Sequence, residues 1–169
     1  PVEIIYYFHG HNGTIANGGT INIGSTLNVG AYGLRNNSIF NNNSGGQLNI
    51  NKSTNTGLEN TGTFTNLATI NIGNIAGVGL NGILNTSIFN NNVGGQINID
   101  RSADAGLYNN TGGTFTNLAT LSIGAGFGVG EYGIWNKATF NSNGGSQLTI
   151  NRSTDAAIEN LGTFTNLTT

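Results

Sequence analysis

The sequence predicts an all-β fold in which one chain winds into six to seven stacked coils. This is a single-stranded parallel β-helix, with about 25 residues and three short strands per coil. Three repeating marks predict it. An aromatic recurs every 24 to 26 residues at Phe40, Phe64, Phe89, Phe115, Phe140 and Phe164, with Ile15 in the equivalent place at the start. An apolar pair one residue apart recurs at Ile21/Ile23, Leu48/Ile50, Ile70/Ile72, Ile97/Ile99, Leu121/Ile123 and Leu148/Ile150. An apolar residue stands two before an Asn at Leu34, Leu58, Ile83, Leu107, Ile134 and Ile158. Self-similarity at a fixed period of this size marks a repeat architecture. Alternation over three to five residues reads as strand.

The first strand of each coil carries the aromatic, the second the apolar pair, and the third the apolar residue before Asn. Gly, Asn, Ser and Thr separate them and supply the turns. Parallel strands in successive coils pair at about 4.8 Å, so like residues stack in columns. Inserts such as the longer turn in "NNTGGTF" (109–115) are expected at corners, where added length costs little. Two columns are Asn. One is Asn36, Asn60, Asn85, Asn109, Asn136 and Asn160. The other is Asn17, Asn42, Asn66, Asn91, Asn117 and Asn166, interrupted at Ser142. An amide both donates and accepts, so a stack of them satisfies itself. Odd coils read "GTFTNLATINIG" and even coils "IFNNNVGGQINIDRS", making the full repeat two coils.

Composition narrows the function. Charged residues make up 7% and the net charge is −2, which leaves no basic surface for nucleic acid. Hydrophobic residues make up 36%, enough for a core, without the run of some 18 or more apolar residues that a membrane span needs. Gly, at 28, and Asn, at about 31, dominate a turn-rich composition. The absence of Cys excludes disulfides and CxxC metal sites.

Several short motifs resolve into the repeat. "GVGLNG" at 77–82 matches the dinucleotide fingerprint, but no helix pattern follows, and "GVGEYG" at 128–133 repeats it two coils later. Both read as corner turns. "GGQINID" at 94–100 fails the calcium nonapeptide pattern, because Ile97 stands where a glycine is required. No acid/base constellation is visible: Glu59 and Glu159 share a column four coils apart, and Asp100 and Asp104 have no His near them in sequence. An enzyme and a cofactor are therefore not expected. T-x-T pairs at Thr63/Thr65, Thr114/Thr116 and Thr163/Thr165 occur only on odd coils, against a lattice-matching face. Lys52, Arg101 and Arg152 form a basic column on even coils, with Asp104 and Asp155 three residues after the last two. The column reads either as a solvated Arg–Asp row or as a ligand face for an anionic glycan, the former favoured.

The two-coil repeat over residues 13–169 resembles the right-handed parallel β-helix repeats of large secreted bacterial surface proteins and adhesins. The likeness is one of architecture and turn chemistry. It implies an extracellular or cell-surface, elongated scaffold, with handedness taken from the likeness, and it implies no ligand.

The ends suggest assembly. Residues 161–169 read as the first strand of an incomplete coil. Residues 1–12 form a separate apolar segment, with Val2/Ile4 alternating as the "INI" pairs do, and read as the missing remainder of a coil or as a cap. An open coil edge is a template for further pairing. The expected function is a structural subunit of an extracellular filament, a homopolymer assembled head to tail by strand complementation. The contact residues are Val2, Ile4, Ile5, Tyr6, Tyr7 and Phe8 at the head and Phe164, Thr165, Asn166 and Leu167 at the tail. The alternative is a glycan- or surface-binding adhesin module of a longer repeat protein, using Lys52, Arg101 and Arg152. An ice-binding solenoid and a polysaccharide lyase rank below both. Neither nucleic acid nor membrane insertion is expected.

Overall fold

The computed structural model describes residues 13–167 and the backbone of residues 2–4. Every regular element among the described residues is a strand. Ahead of the first coil lies β1 (Val2–Ile4). Coil 1 is β2 (Thr14–Asn17), β3 (Thr20–Ile23) and β4 (Tyr32–Asn36). Coil 2 is β5 (Ile39–Asn42), β6 (Gln47–Ile50) and β7 (Thr56–Asn60). Coil 3 is β8 (Thr63–Asn66), β9 (Thr69–Ile72) and β10 (Asn81–Asn85). Coil 4 is β11 (Ile88–Asn91), β12 (Gln96–Ile99) and β13 (Ala105–Asn109). Coil 5 is β14 (Thr114–Asn117), β15 (Thr120–Ile123) and β16 (Tyr132–Asn136). Coil 6 is β17 (Thr139–Asn143), β18 (Gln147–Ile150) and β19 (Ala156–Asn160), and β20 (Thr163–Leu167) follows it.

Three parallel sheets form the walls. The first-strand sheet runs β2-β5-β8-β11-β14-β17-β20, the second β1-β3-β6-β9-β12-β15-β18, and the third β4-β7-β10-β13-β16-β19. The register aligns like with like: Phe64 pairs with Phe40 and Phe89, Ile70 with Leu48 and Ile97, Asn85 with Asn60 and Asn109. The chain is thus a parallel β-solenoid of about six turns, as the period predicts.

The core is a column structure. Phe40, Phe64, Phe89, Phe115 and Phe140 are buried, and their rings stack with centroids 4.7–5.4 Å apart, the run ending on Phe164. The coil spacing sets that distance, and stacking at it is favourable for aromatic pairs. Asn36, Asn60, Asn85, Asn109 and Asn136 are also fully buried. Each donates its Nδ2 to the Oδ1 of the next, at 2.7–2.9 Å, ending on Asn160. Most add a second bond to a backbone carbonyl, as Asn85 does to Ser87. Burying an amide without partners costs several kcal/mol, and the ladder removes that cost at each level.

Corner lengths explain the two-coil repeat. Between second and third strands, odd coils spend eight residues (24–31, 73–80, 124–131) and even coils five (51–55, 100–104, 151–155). Between first and second strands, odd coils spend two (18–19, 67–68, 118–119), while coils 2 and 4 spend four (43–46, 92–95). The longer corner alternates in place, so the two corners together take ten residues in odd coils and nine in coils 2 and 4. The corner at 110–113 is four residues where its counterparts are two, which places the "NNTGGTF" insert outside the coil.

Candidate functional site

The basic column sits at the corner between second and third strands, and its geometry differs from the solvated Arg–Asp row. Lys52 Nζ donates to Thr26 O at 2.7 Å, Arg101 Nη1 to Ile75 O at 2.5 Å, and Arg152 Nη1 to Gly126 O at 2.7 Å. Each cation reaches back to a carbonyl of the long odd-coil loop before it. The residue just ahead of the cation reaches forward. Asn51 Oδ1 accepts from Ile75 N at 3.0 Å, and Asp100 Oδ1 accepts from Gly126 N at 2.6 Å. The long loop 73–80 is therefore held from one side by Asn51 and from the other by Arg101. Loop 124–131 is held likewise by Asp100 and Arg152. Phe127 of that loop lies over the Arg101 guanidinium, 3.3 Å from ring centroid to Cζ. The expected Arg–Asp row is absent among the described residues: Arg101 and Arg152 turn to loop carbonyls and the Phe127 ring, not to Asp104 and Asp155. The physical reason is that the carbonyls of the neighbouring odd-coil loops already stand at hydrogen-bond distance from the two guanidinium groups.

Lys52 also takes a positive φ of 55°. It floors a shallow groove between loops 24–31 and 73–80, with Asn28, Ser53, Thr54 and Val78 along the walls.

The third-strand face holds what charge and aromatic character remain. Arg35 Nε contacts Glu59 Oε2 at 2.6 Å, an ion pair across adjacent coils with Glu59 almost fully buried. Further along, Tyr108 and Trp135 stack at 4.4 Å and Tyr132 lies 5.2 Å from Trp135. Lys137 Nζ lies 4.0 Å from the Trp135 ring. Desolvation, then the carboxylates of Glu131, Asp155, Glu159 and Asp104, holds the Tyr132 hydroxyl above the ordinary phenol range. Neither this cluster nor its ring stacking is singled out by the repeat marks, because it occupies outward positions where the repeat tolerates any residue.

A third Asn ladder also escapes the sequence marks. Asn49, Asn71 and Asn98 each donate Nδ2 to the preceding Oδ1, at 2.7–2.9 Å, starting from Asn22. It runs along the outside of the second-strand sheet and donates in the direction opposite to the inner ladders. The middle residue of "INI" is its only sequence signal.

Of the residues expected at subunit contacts, Val2 and Ile4 lie in β1, paired in parallel with Ile21 and Ile23 of β3. Ile5, Tyr6, Tyr7 and Phe8 lie outside the described residues. Phe164, Thr165, Asn166 and Leu167 lie in β20, paired with Phe140, Asn141, Ser142 and Asn143. The outer edges of β18, β19 and β20 have no strand partner among the described residues. Ile158, Leu161 and Leu167 are exposed there, at 38%, 64% and 62%.

A scan against protein-family models and searches of curated proteins and solved structures found no match.

Proposed function

We propose that this chain is a structural subunit of an extracellular filament, in which the coils of one copy are continued by those of the next. The observation that carries the reading is the stagger of the sheets. The second-strand sheet extends one strand beyond coil 1, through β1, and the first-strand sheet extends one strand beyond coil 6, through β20. In a head-to-tail stack, β20 of one copy and β1 of the next supply successive strands of one shared coil. β18 then pairs with β1, and β20 with β2, in the registers already used inside the rod. Such strand addition draws its affinity from main-chain hydrogen bonds and its specificity from side-chain columns.

The magnitudes agree. A shared coil with its flanking faces buries roughly 1,000–1,600 Å², near a standard interface. At ~25 cal/mol per Å² of its apolar part, the gross gain is about 15–25 kcal/mol, against an association cost of about 4–15 kcal/mol. An extracellular bacterial setting belongs to the same proposal and rests on the resemblance of the repeats to secreted surface proteins.

Electron microscopy across a concentration series tests it. The expected result is thin unbranched filaments with an axial repeat of about 34 Å, seven strands at about 4.8 Å each. Deleting residues 1–8 should abolish them while circular dichroism stays that of the folded rod. Single rods at every concentration, or filaments that persist after the deletion, would overturn the reading.

A further inference from the structure

The corner between first and second strands carries teeth. In coils 2 and 4 the four-residue corners close as β-turns, with Gly46 N donating to Asn43 O and Gly95 N to Asn92 O, both at 2.8 Å. Coil 6 repeats the turn, Ser146 N donating to Asn143 O at 3.3 Å. Gly45, Gly94 and Gly145 hold the third turn position with φ of 83°, 91° and 76°, a conformation that glycine adopts freely. A Cβ at Gly45, Gly144 or Gly145 would meet nothing within 4 Å, so these tips face open space, although Gly144 N donates to Leu167 O at 3.2 Å. Val93, at the tip of the coil 4 tooth, is 76% exposed.

Between teeth lie slots one coil thick. The slot over coil 3 is floored by Leu67 and Ala68, and the slot over coil 5 by Leu118 and Ala119. Val93 and Gly94 wall the latter on one side and Gly145 on the other.

We propose that this toothed edge docks a second copy of the chain, lying antiparallel, with each tooth seated in a slot of the other. Teeth and slots share one pitch by construction, two coils, so the edge is complementary to itself. A two-fold axis between coils 4 and 5 places the Val93 tooth of each copy over Leu118 and Ala119 of the other, and the Gly144–Gly145 tooth over Leu67 and Ala68. Such an isologous contact seats the coil 4 and coil 6 teeth of both copies reciprocally and leaves the coil 2 tooth free of it. Charge favours it as well. No Asp, Glu, Lys or Arg stands in these corners or in the first and second strands of coils 1 to 6. The like-charge repulsion that keeps proteins apart is therefore missing along this edge. Four teeth cover less than the ~1,200 Å² of a standard interface, so single rods associate weakly and longer rods more tightly. The contact is separate from the head-to-tail one, which does not bring Val93 of one copy near Ala119 of another.

The chain has no Cys, so single thiols report cleanly. V93C and A119C proteins are mixed with a short bifunctional maleimide, and the cross-linked heterodimer is compared with that from T111C and A119C, Thr111 lying on another corner. The V93C–A119C yield should exceed the T111C control several-fold. Adding V93E to the A119C-bearing partner removes a tooth without touching the core, and should cut the yield to the control level. Equal yields in the two pairs, or no loss with V93E, would overturn the proposal. The readout holds whether or not the rods also join end to end.

Discussion

Coil 6 departs from the other coils at two positions that compensate each other. A Cβ on Gly46 would lie 2.5 Å from Asn42 Oδ1, and one on Gly95 2.3 Å from Asn91 Oδ1, so the ladder Asn and the corner glycine require each other. In coil 6 the ladder residue is Ser142, and the corner residue is Ser146, whose hydroxyl lies 2.7 Å from that of Ser142. The smaller side chain makes the room that the added Cβ takes. Ser142→Asn alone should therefore crowd Ser146 and cost roughly 1–3 kcal/mol. The double change S142N/S146G should recover that loss in a urea titration, and a double variant as unstable as S142N would refute the coupling. In the unbroken inner ladder, Asn85→Ala leaves Asn109 Oδ1 without its donor, while Asn60 Nδ2 keeps the carbonyls of Gly62 and Ile88. One orphaned buried acceptor costs about 1–3 kcal/mol, and the same titration should show a loss of that size.

At the scale of elements, strands and corners divide the work. Strand register follows from identical columns, and for that reason the strands, the core Phe stack and both inner Asn ladders are legible in the sequence. Corner contacts are not. They link residues 24 to 26 apart across loops of unequal length, such as Asn51 with Ile75 and Arg101 with Ile75. Nothing in the local pattern says that Arg101 turns back to the loop before it and not toward Asp104. The outer Asn ladder is hidden for another reason, since a polar residue at every outward strand position is what any half-buried strand shows. The loop braces predict a selective response. Asp100→Ala should speed amide exchange several-fold in 124–131, where Gly126 N loses its acceptor, and Arg101→Ala should do so in 73–80. Hydrogen exchange by mass spectrometry reads both, and uniform acceleration along the rod would contradict the assignment.

Across the whole molecule, charge is segregated by face. All charged residues except Glu3 lie on the third strands or in the corners flanking them. The first-strand sheet instead presents Thr14, Ile39, Thr63, Ile88 and Thr114 outward in one column, and Asn41, Thr65, Asn90 and Thr116 in the next. The first and second strands of coils 1 to 6, which carry no charge, meet at the toothed edge, and the third face carries the charge. The period of the sequence fixes where the walls run, but the charged residues are too few per coil to reveal a face until the coils are stacked.

Each coil touches only its neighbours, and no disulfide ties one level to another. Stability in such a one-dimensional array is a sum of nearest-neighbour terms. Pulled by its two ends, the rod should come apart like a knitted thread, one row at a time from the free edges inward. Every released row of about 25 residues adds up to roughly 80–90 Å of slack, at ~3.3–3.6 Å per residue. Single-molecule stretching should show a sawtooth with that spacing, or twice it where a braced pair of coils yields together, whereas one abrupt rupture would mean the levels are locked as a block. A material made of such threads absorbs work by lengthening long before it breaks.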